Sequence, residues 1–312
     1  MTVSYLSPAF HSRSEEEILF LKKIDKNSGF SIFWIDIVQP LLRHVQARHL
    51  LEIGSYRGDH TRLLAKYCND HNGTLIIIEP VILSSLQKIV DHSKNIKLFA
   101  TTSREAMPLI STPLDAVMLE GDLNYQTVYG DLLDIERFVN RQKTTFPLIF
   151  LRATGWPYAR RDMYYDPTNM PVGGIHSFQH KGMSHWSSSL EPGMINYPFA
   201  NARQEGGQCN GVLTAAEDFI KKNLSLEIFT LPIHNGISIL YVKGSSADVF
   251  IQDCFCPGSS LISLLETVEV ARLNSIINEL KGHQRSNDDL MGIWENRFHR
   301  LIKRIFGIMR RT

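Results

Sequence analysis

The sequence predicts a doubly wound α/β domain: a mostly parallel seven-stranded sheet with an antiparallel last strand, a long insertion after strand five, and a C-terminal helical extension. Two observations predict it. From about residue 48, short continuous apolar runs alternate with amphipathic stretches, as a parallel sheet covered on both faces requires. After residue 210 the rhythm becomes one helix and then two strands joined by a tight turn, a hairpin that closes an otherwise parallel sheet.

HLLEIG (49–54) is the first strand, and a helix runs from Asp59 to Asn69. TLIIIE (74–79) is the second strand, followed by a helix from about Ser84 to His92. IKLF (96–99) is the third, with a short helix from Ser103 to Ile110. LDAVML (114–119) and a helix from Tyr125 to Asn140 come next, then PLIFLR (147–152) as the fifth strand. Residues 153–210 are rich in Gly, Pro, His, Tyr and Asn and show little periodicity, which predicts a binding loop or lid. GVLTAAEDFIKKN (211–223) is a helix. LSLEIFTLP (224–232) and GISILYVKG (236–244) are strands around a His234-Asn235 turn. The chain thus divides into an N-terminal helical segment (1–40), the sheet domain (41–245) and a C-terminal helical extension (246–312). In the extension Leu261, Leu264, Leu265, Val268 and Ala271 recur at helical spacing.

Hydrophobic residues make up 43% and charged residues 21% of the 312, ordinary for a globular protein with a substantial core. A net charge of +1 argues against nucleic-acid binding by bulk electrostatics. Glu15, Glu16 and Glu17 interrupt what a secretion signal would need as an apolar core, and the apolar runs fall far short of the roughly 20 residues that cross a bilayer. Four cysteines form no disulfide framework, and the Cys254/Cys256 pair has no second pair at zinc spacing. The expected compartment is the cytoplasm. From Arg297 onward there are six Lys/Arg and no acid, on a helix-spaced apolar pattern. That tail suits packing on the domain or in a homo-oligomer, or else docking on an anionic membrane face or a partner helix.

The stretch HLLEIGSYRGDHTRLLAKY (49–67) holds the chemistry. Gly54 permits a tight turn after the first strand, and Gly58 lets the backbone approach a ligand without a Cβ in the way. The spacing is G-x-x-x-G, not the G-x-G-x-x-G of dinucleotide sites, so a nicotinamide oxidoreductase is disfavoured. Glu79 ends the second strand, where an acid can accept both hydroxyls of a ribose.

E-I-G-S-Y-R-G-D-H-T (52–61) with Glu79 resembles the S-adenosylmethionine site of class I methyltransferases, a Rossmann-like fold. LDAVMLEGDLNYQTVYGDL (114–132) resembles the D-G-D-H-x-Y signature of a branch that includes macrocin-type and cephalosporin-cluster enzymes. GWPYARRDMYYDP (155–167) and EGGQCNGVLTAAEDF (205–219) are similar to a bacterial subgroup that accompanies glycan or surface-polysaccharide biosynthesis. By that resemblance Glu52, Gly54, Ser55 and Gly58 shape the methionine end of the cofactor pocket. Glu79 holds the ribose, Thr102 and Ser103 lie near the adenine, and Glu120 and Asp122 face the reacting centre.

A sugar hydroxyl is a weak acid and needs a base or a divalent metal to become a nucleophile. The fourth-strand signature here carries Leu123 where the family pattern has His, and Arg152-Ala153 stand where relatives tend to read His-Asp. Glu120 and Asp122 remain as ligands for Mg²⁺, though Arg152 is equally placed to pair with one of them. His176 and His180 of the insertion, which share a helix face if HSFQH is helical, are replacement bases beside Asp122. Arg160 and Arg161 could grip an anionic acceptor or pair with Asp162 or Asp166. Trp156 and Tyr158 could stack on a sugar or build the lid's own core. The expectation is an S-adenosylmethionine-dependent O-methyltransferase for a sugar, glycan or glycosylated small molecule. The alternative is a non-catalytic relative that keeps the fold as a scaffold or regulator.

Overall fold

The structure is a computed structural model and describes residues 14, 29–170 and 173–286. The basic tail lies outside the described residues. Among the described residues twelve strands form, in chain order: β1 His49–Ile53, β2 Thr74–Ile78, β3 Ile96–Phe99, β4 Ala116–Leu119, β5 Leu148–Arg152, β6 Met163–Tyr164, β7 Phe178–His180, β8 Gly182–Met183, β9 Leu190–Glu191, β10 Ala200–Ala202, β11 Leu226–Leu231 and β12 Ile237–Val242. The α-helices are α1 Gln39–His44, α2 Asp59–Asp70, α3 Ser84–Asp91, α4 Ser103–Ala106, α5 Tyr125–Gln142, α6 Val212–Lys222, α7 Ser246–Phe255 and α8 Ser260–Ser286.

Seven strands make one sheet in the order β3-β2-β1-β4-β5-β12-β11. Pairings from β3 through β5 are parallel, and β12 runs antiparallel to both β5 and β11. The sheet is therefore Rossmann-like, with a single reversed strand inside its far edge. β1, β2, β4 and β5 are apolar on consecutive residues because both faces are covered. One face packs on α2, α3, α7 and the segment Gly29–His44, burying Phe30, Phe33, Trp34, Leu41 and Leu64. The other packs on α5, α6 and part of the insertion, burying Leu132, Ile135, Phe138, Met163 and Phe219. Before α1 the described part of the N-terminal segment, from residue 29 on, is one 3₁₀ turn, Gly29–Phe33, and one π turn, Trp34–Val38. It runs over the end of the sheet where β1 and β4 stop.

Residues 153–210 are more ordered than a loop. β10 pairs antiparallel with β6 and β7, and β8 pairs with β9. Asp162, 1% exposed, fastens this unit to the sheet domain. Its Oδ1 accepts the N–H of Tyr125 at 2.8 Å and of Gly211 at 2.7 Å, at the N-termini of α5 and α6, while Tyr164 donates to Oδ2 at 3.0 Å. A carboxylate there answers donors that have no partner within their own helices.

Helix α7, inside the expected helical extension though not marked by a pattern of its own, opens on Ser245, whose hydroxyl caps the N–H of Asp248. On α8 the expected stripe is split: Leu261, Leu264 and Val268 are exposed, Leu265 packs partly buried against the core, and further along Leu273 and Ile277 are buried. Among the described residues no single helix is long and apolar enough to cross a membrane; Ser246–Phe255 and Ser260–Gly282 reach that only together, across a 71° bend.

Candidate active site

The turn after β1 sits at the switch point of the sheet, beside β4, where open parallel sheets bind ligands. Glu52, inside β1 and 3% exposed, accepts hydrogen bonds from Ser55 Oγ (2.8 Å) and Thr61 Oγ1 (2.5 Å), and lies 3.2 Å from His60 Nδ1. It ties the turn to the first residues of α2. His60 in turn packs against Phe30 and Trp34 of the N-terminal segment, with ring centroids 5.1 and 5.7 Å away.

Gly54 and Gly58 both have left-handed backbones, φ +85° and +81°. A Cβ on Gly54 would stand 2.5 Å from Gly121 Cα, so the ends of β1 and β4 meet backbone to backbone. A Cβ on Gly58 would stand 2.5 Å from Ile89 Cδ1. The expectation that Gly58 clears space for a ligand is thus corrected: its left-handed turn and the side chain of α3 require the glycine.

Glu79, one residue past β2, reaches across to the same turn. Its Oε2 accepts the N–H groups of Ser55 and Tyr56, each at 2.9 Å, and its Oε1 accepts that of Val81 at 3.0 Å. A carboxylate has about four acceptor positions, so three are engaged by backbone. Tyr56 is itself left-handed at φ +45°, a strained position for a residue with a side chain.

Past β4, Glu120 is held from two sides. Arg152 Nε lies 3.3 Å from its Oε1, and the Phe30 N–H donates to its Oε2 at 3.3 Å. Arg152 is buried at the end of β5 and also donates to the carbonyls of His234 and Gly236, at 3.0 and 2.7 Å. Phe33 covers the guanidinium, 5.2 Å from the ring centroid. Asp122 accepts from Thr127 Oγ1 at 3.0 Å, and burial pushes its carboxyl above the usual range. Behind it Asp131 on α5 accepts from Ser103 Oγ and is raised to about 7, by burial foremost. Glu120, Asp122, Asp131 and Arg152 line a void of about 10 Å³, room for one water at most. The expected Mg²⁺ site at Glu120 and Asp122 does not fit these residues, since the cation of Arg152 already sits on Glu120. Among the described residues no three His, Cys, Asp or Glu side chains are grouped for a metal ion.

The insertion brings Tyr165 to this end of the sheet. Burial of the hydroxyl raises its pKa, and so do the nearby charges of Asp122 and Glu120, then Tyr56 and Glu79. Half of its surface stays exposed. The other expected insertion residues go elsewhere. His176 and His180 do not share a helix face: His180 ends strand β7, and the two rings bond to the carbonyls of Cys209 (2.9 Å) and Pro198 (3.0 Å). Arg160 makes a two-pronged pair with Glu217 of α6, at 2.6 and 2.7 Å. Arg161, 1% exposed, donates to the carbonyls of Ala202, Arg203 and Ser188 and to Glu205. Tyr158 is buried on Asn201 at 2.9 Å, and Trp156 packs edge-on against His185. Arg160 and Arg161 are therefore corrected from acceptor ligands to structural residues, with partners other than the Asp162 and Asp166 considered from the sequence, and Tyr158 takes the core alternative in place of the sugar-stacking one.

Two site residues, Asp131 and Phe30, escape sequence reasoning. Asp131 had a signal, an acid on the same helix face as Val128, Leu132, Ile135 and Phe138. Phe30, from a distant segment, had none, whereas Tyr165 belongs to the insertion's aromatic run, in which a sugar-stacking or lid-core role is legible.

No known family and no curated protein matches the sequence. Similar folds occur among solved structures. A Podospora anserina methyltransferase bound to SAH, PaMTH1, is 14% identical with a TM-score of 0.40, over 65% of this chain and 74% of that one. A Staphylococcus aureus protein assigned as a caffeoyl-CoA O-methyltransferase is 15% identical with a TM-score of 0.41, over 75% and 95%. The methyltransferase domain of bacterial CtHen1-C is 12% identical with a TM-score of 0.37, over 70% and 99%. At such scores these likenesses add no weight to the strand order itself.

Proposed function

We propose that the chain is an S-adenosylmethionine-dependent O-methyltransferase acting on a sugar or glycan-like acceptor. The observation that carries this reading is the clasp between Glu79 and the Ser55–Tyr56 peptide, which gathers a strand-end carboxylate and two backbone donors at the switch point of the sheet. In this reading those groups exchange their bonds to one another for bonds to the cofactor. Glu79 takes the ribose, Glu52, Gly54 and Ser55 surround the methionine end, Thr102 and Ser103 border the adenine, and Glu120 closes the far side. S-adenosylmethionine supplies an already activated methyl group. What the protein adds is in-line placement and removal of the acceptor proton. Asp122 is the assigned base, because burial makes its carboxylate more basic. Tyr165 and Trp186 offer exposed ring surface, which suits sugar faces. The test is transfer of a labelled methyl group to a panel of glycans and glycosides, with Asp122→Asn expected to reduce turnover at least about a hundredfold.

A second reading is favoured by one observation: Arg152 occupies Glu120, and only a void of about 10 Å³ remains beside them. In that reading the fold serves as a scaffold. Donor binding without transfer to any acceptor supports it, and any turnover removes it.

A further inference from the structure

We propose that the groove between α2 and α3 is a second binding site, for a small phosphorylated polyol such as a sugar phosphate. It is separate from the residues assigned above. The groove has a volume of about 780 Å³, within the range of small-molecule sites. Arg62, Lys66, Lys88 and Lys94 line it, and among the described residues no carboxylate does. The whole chain is balanced, with 33 Lys and Arg against 32 Asp and Glu, so this is a local segregation of charge. Lys66 bonds to Asp70, outside the lining, at 2.9 Å. Arg62, Lys88 and Lys94 form no ion pair among the described residues. Three unpaired cations around one hollow repel each other, and an anion bound among them turns that repulsion into attraction.

The rest of the lining narrows the ligand. Ser84 and Ser85 bring hydroxyls, and they are the first two residues of α3. That helix starts after Leu83 with no side-chain cap, so its first N–H groups stay available to phosphate oxygens. Asn69 adds an amide for ligand hydroxyls. Among the described residues no Phe, Tyr or Trp lines the groove; its one aromatic ring is that of His92, whose Nδ1 is held on the Lys88 carbonyl at 2.6 Å. A phosphorylated sugar fits this set of cations, hydroxyls and amide. The floor is Ala65 and Ile89, and the Cδ1 of Ile89 fills the space beside Gly58, so the groove and the glycine turn share a side chain.

The experiment is calorimetric titration of the full chain at low ionic strength with glucose 1,6-bisphosphate, and with glucose as the uncharged control. Saturable binding of the bisphosphate and none of glucose is expected. Arg62→Ala/Lys88→Ala and Lys88→Gln/Lys94→Gln, all at exposed positions and each checked by thermal melting, should weaken binding about tenfold or more. Lys97→Ala, on β3 outside the lining, should leave it unchanged. Absence of saturable binding, equal binding by the double variants, or an equal loss in Lys97→Ala overturns the proposal.

Discussion

Arg152 Nε lies 3.3 Å from Glu120 Oε1, at the ends of two neighbouring parallel strands. The guanidinium is buried, while the carboxylate keeps about a third of its surface exposed (31%). Burial disfavours the Arg152 charge, and Glu120 with the His234 and Gly236 carbonyls restores it. Arg152→Leu leaves three acceptors without their donor and should cost about 3 kcal/mol in urea unfolding. Arg152→Lys, with one point charge for a planar fork, should recover less than half of that.

Gly54→Ala should be more damaging than its size suggests. The added Cβ meets the backbone of Gly121, not a side chain that can turn away, and the left-handed φ penalises any residue with a Cβ. A loss of at least about 3 kcal/mol is expected by denaturant titration. Gly130→Ala in the middle of α5, where nothing lies within 4 Å, should be neutral or stabilising by up to about 1 kcal/mol.

Asp131 gives a pH dependence with a definite sign. Folding raises its carboxyl to about 7, by burial first, against the Ser103 hydrogen bond, and with help from the charge of Asp122. A raised acid keeps its proton in the folded state, so its contribution is fully present below about pH 4 and is lost as pH rises towards 7. Asp131→Asn keeps an acceptor for Ser103 and removes the titration. Its stability relative to wild type should climb between pH 4 and 8, by up to about 4 kcal/mol. Unfolding curves across that range check this, and a constant difference contradicts it.

Asp162 joins the insertion to α5 and α6 through two backbone N–H groups. Asp162→Ala leaves both without an acceptor and should cost about 3 kcal/mol. Limited proteolysis should then cut first within 153–210, ahead of the sheet domain.

Much of the sheet is legible in the sequence. IKLF is the third strand to the residue, and the other sheet strands fall within one or two residues of expectation, because continuous apolar runs between glycine turns have few other uses. The insertion's strands are two or three residues long, too short to show a period. Helix α7 buries only Ala247 and Ile251, which leaves its pattern faint. At the site, the left-handed turn was legible from Gly54 and Gly58, and the Arg152 pairing was open as an alternative. What fills the space beside Gly58 depends on Ile89, which reaches it only through the packing of α3 against α2. The partners of Arg160 and Arg161 likewise come from α6 and from the strands around Ala202.

The most direct measurement is calorimetric titration of the wild type and of Glu79→Ala with S-adenosylhomocysteine. Saturable binding by the wild type, weakened about tenfold or more by Glu79→Ala while Lys97→Ala binds as the wild type does, is the predicted result. No saturable binding by a folded wild-type protein, or equal affinity in Glu79→Ala, contradicts the assignment of the glycine turn and Glu79 as a cofactor site.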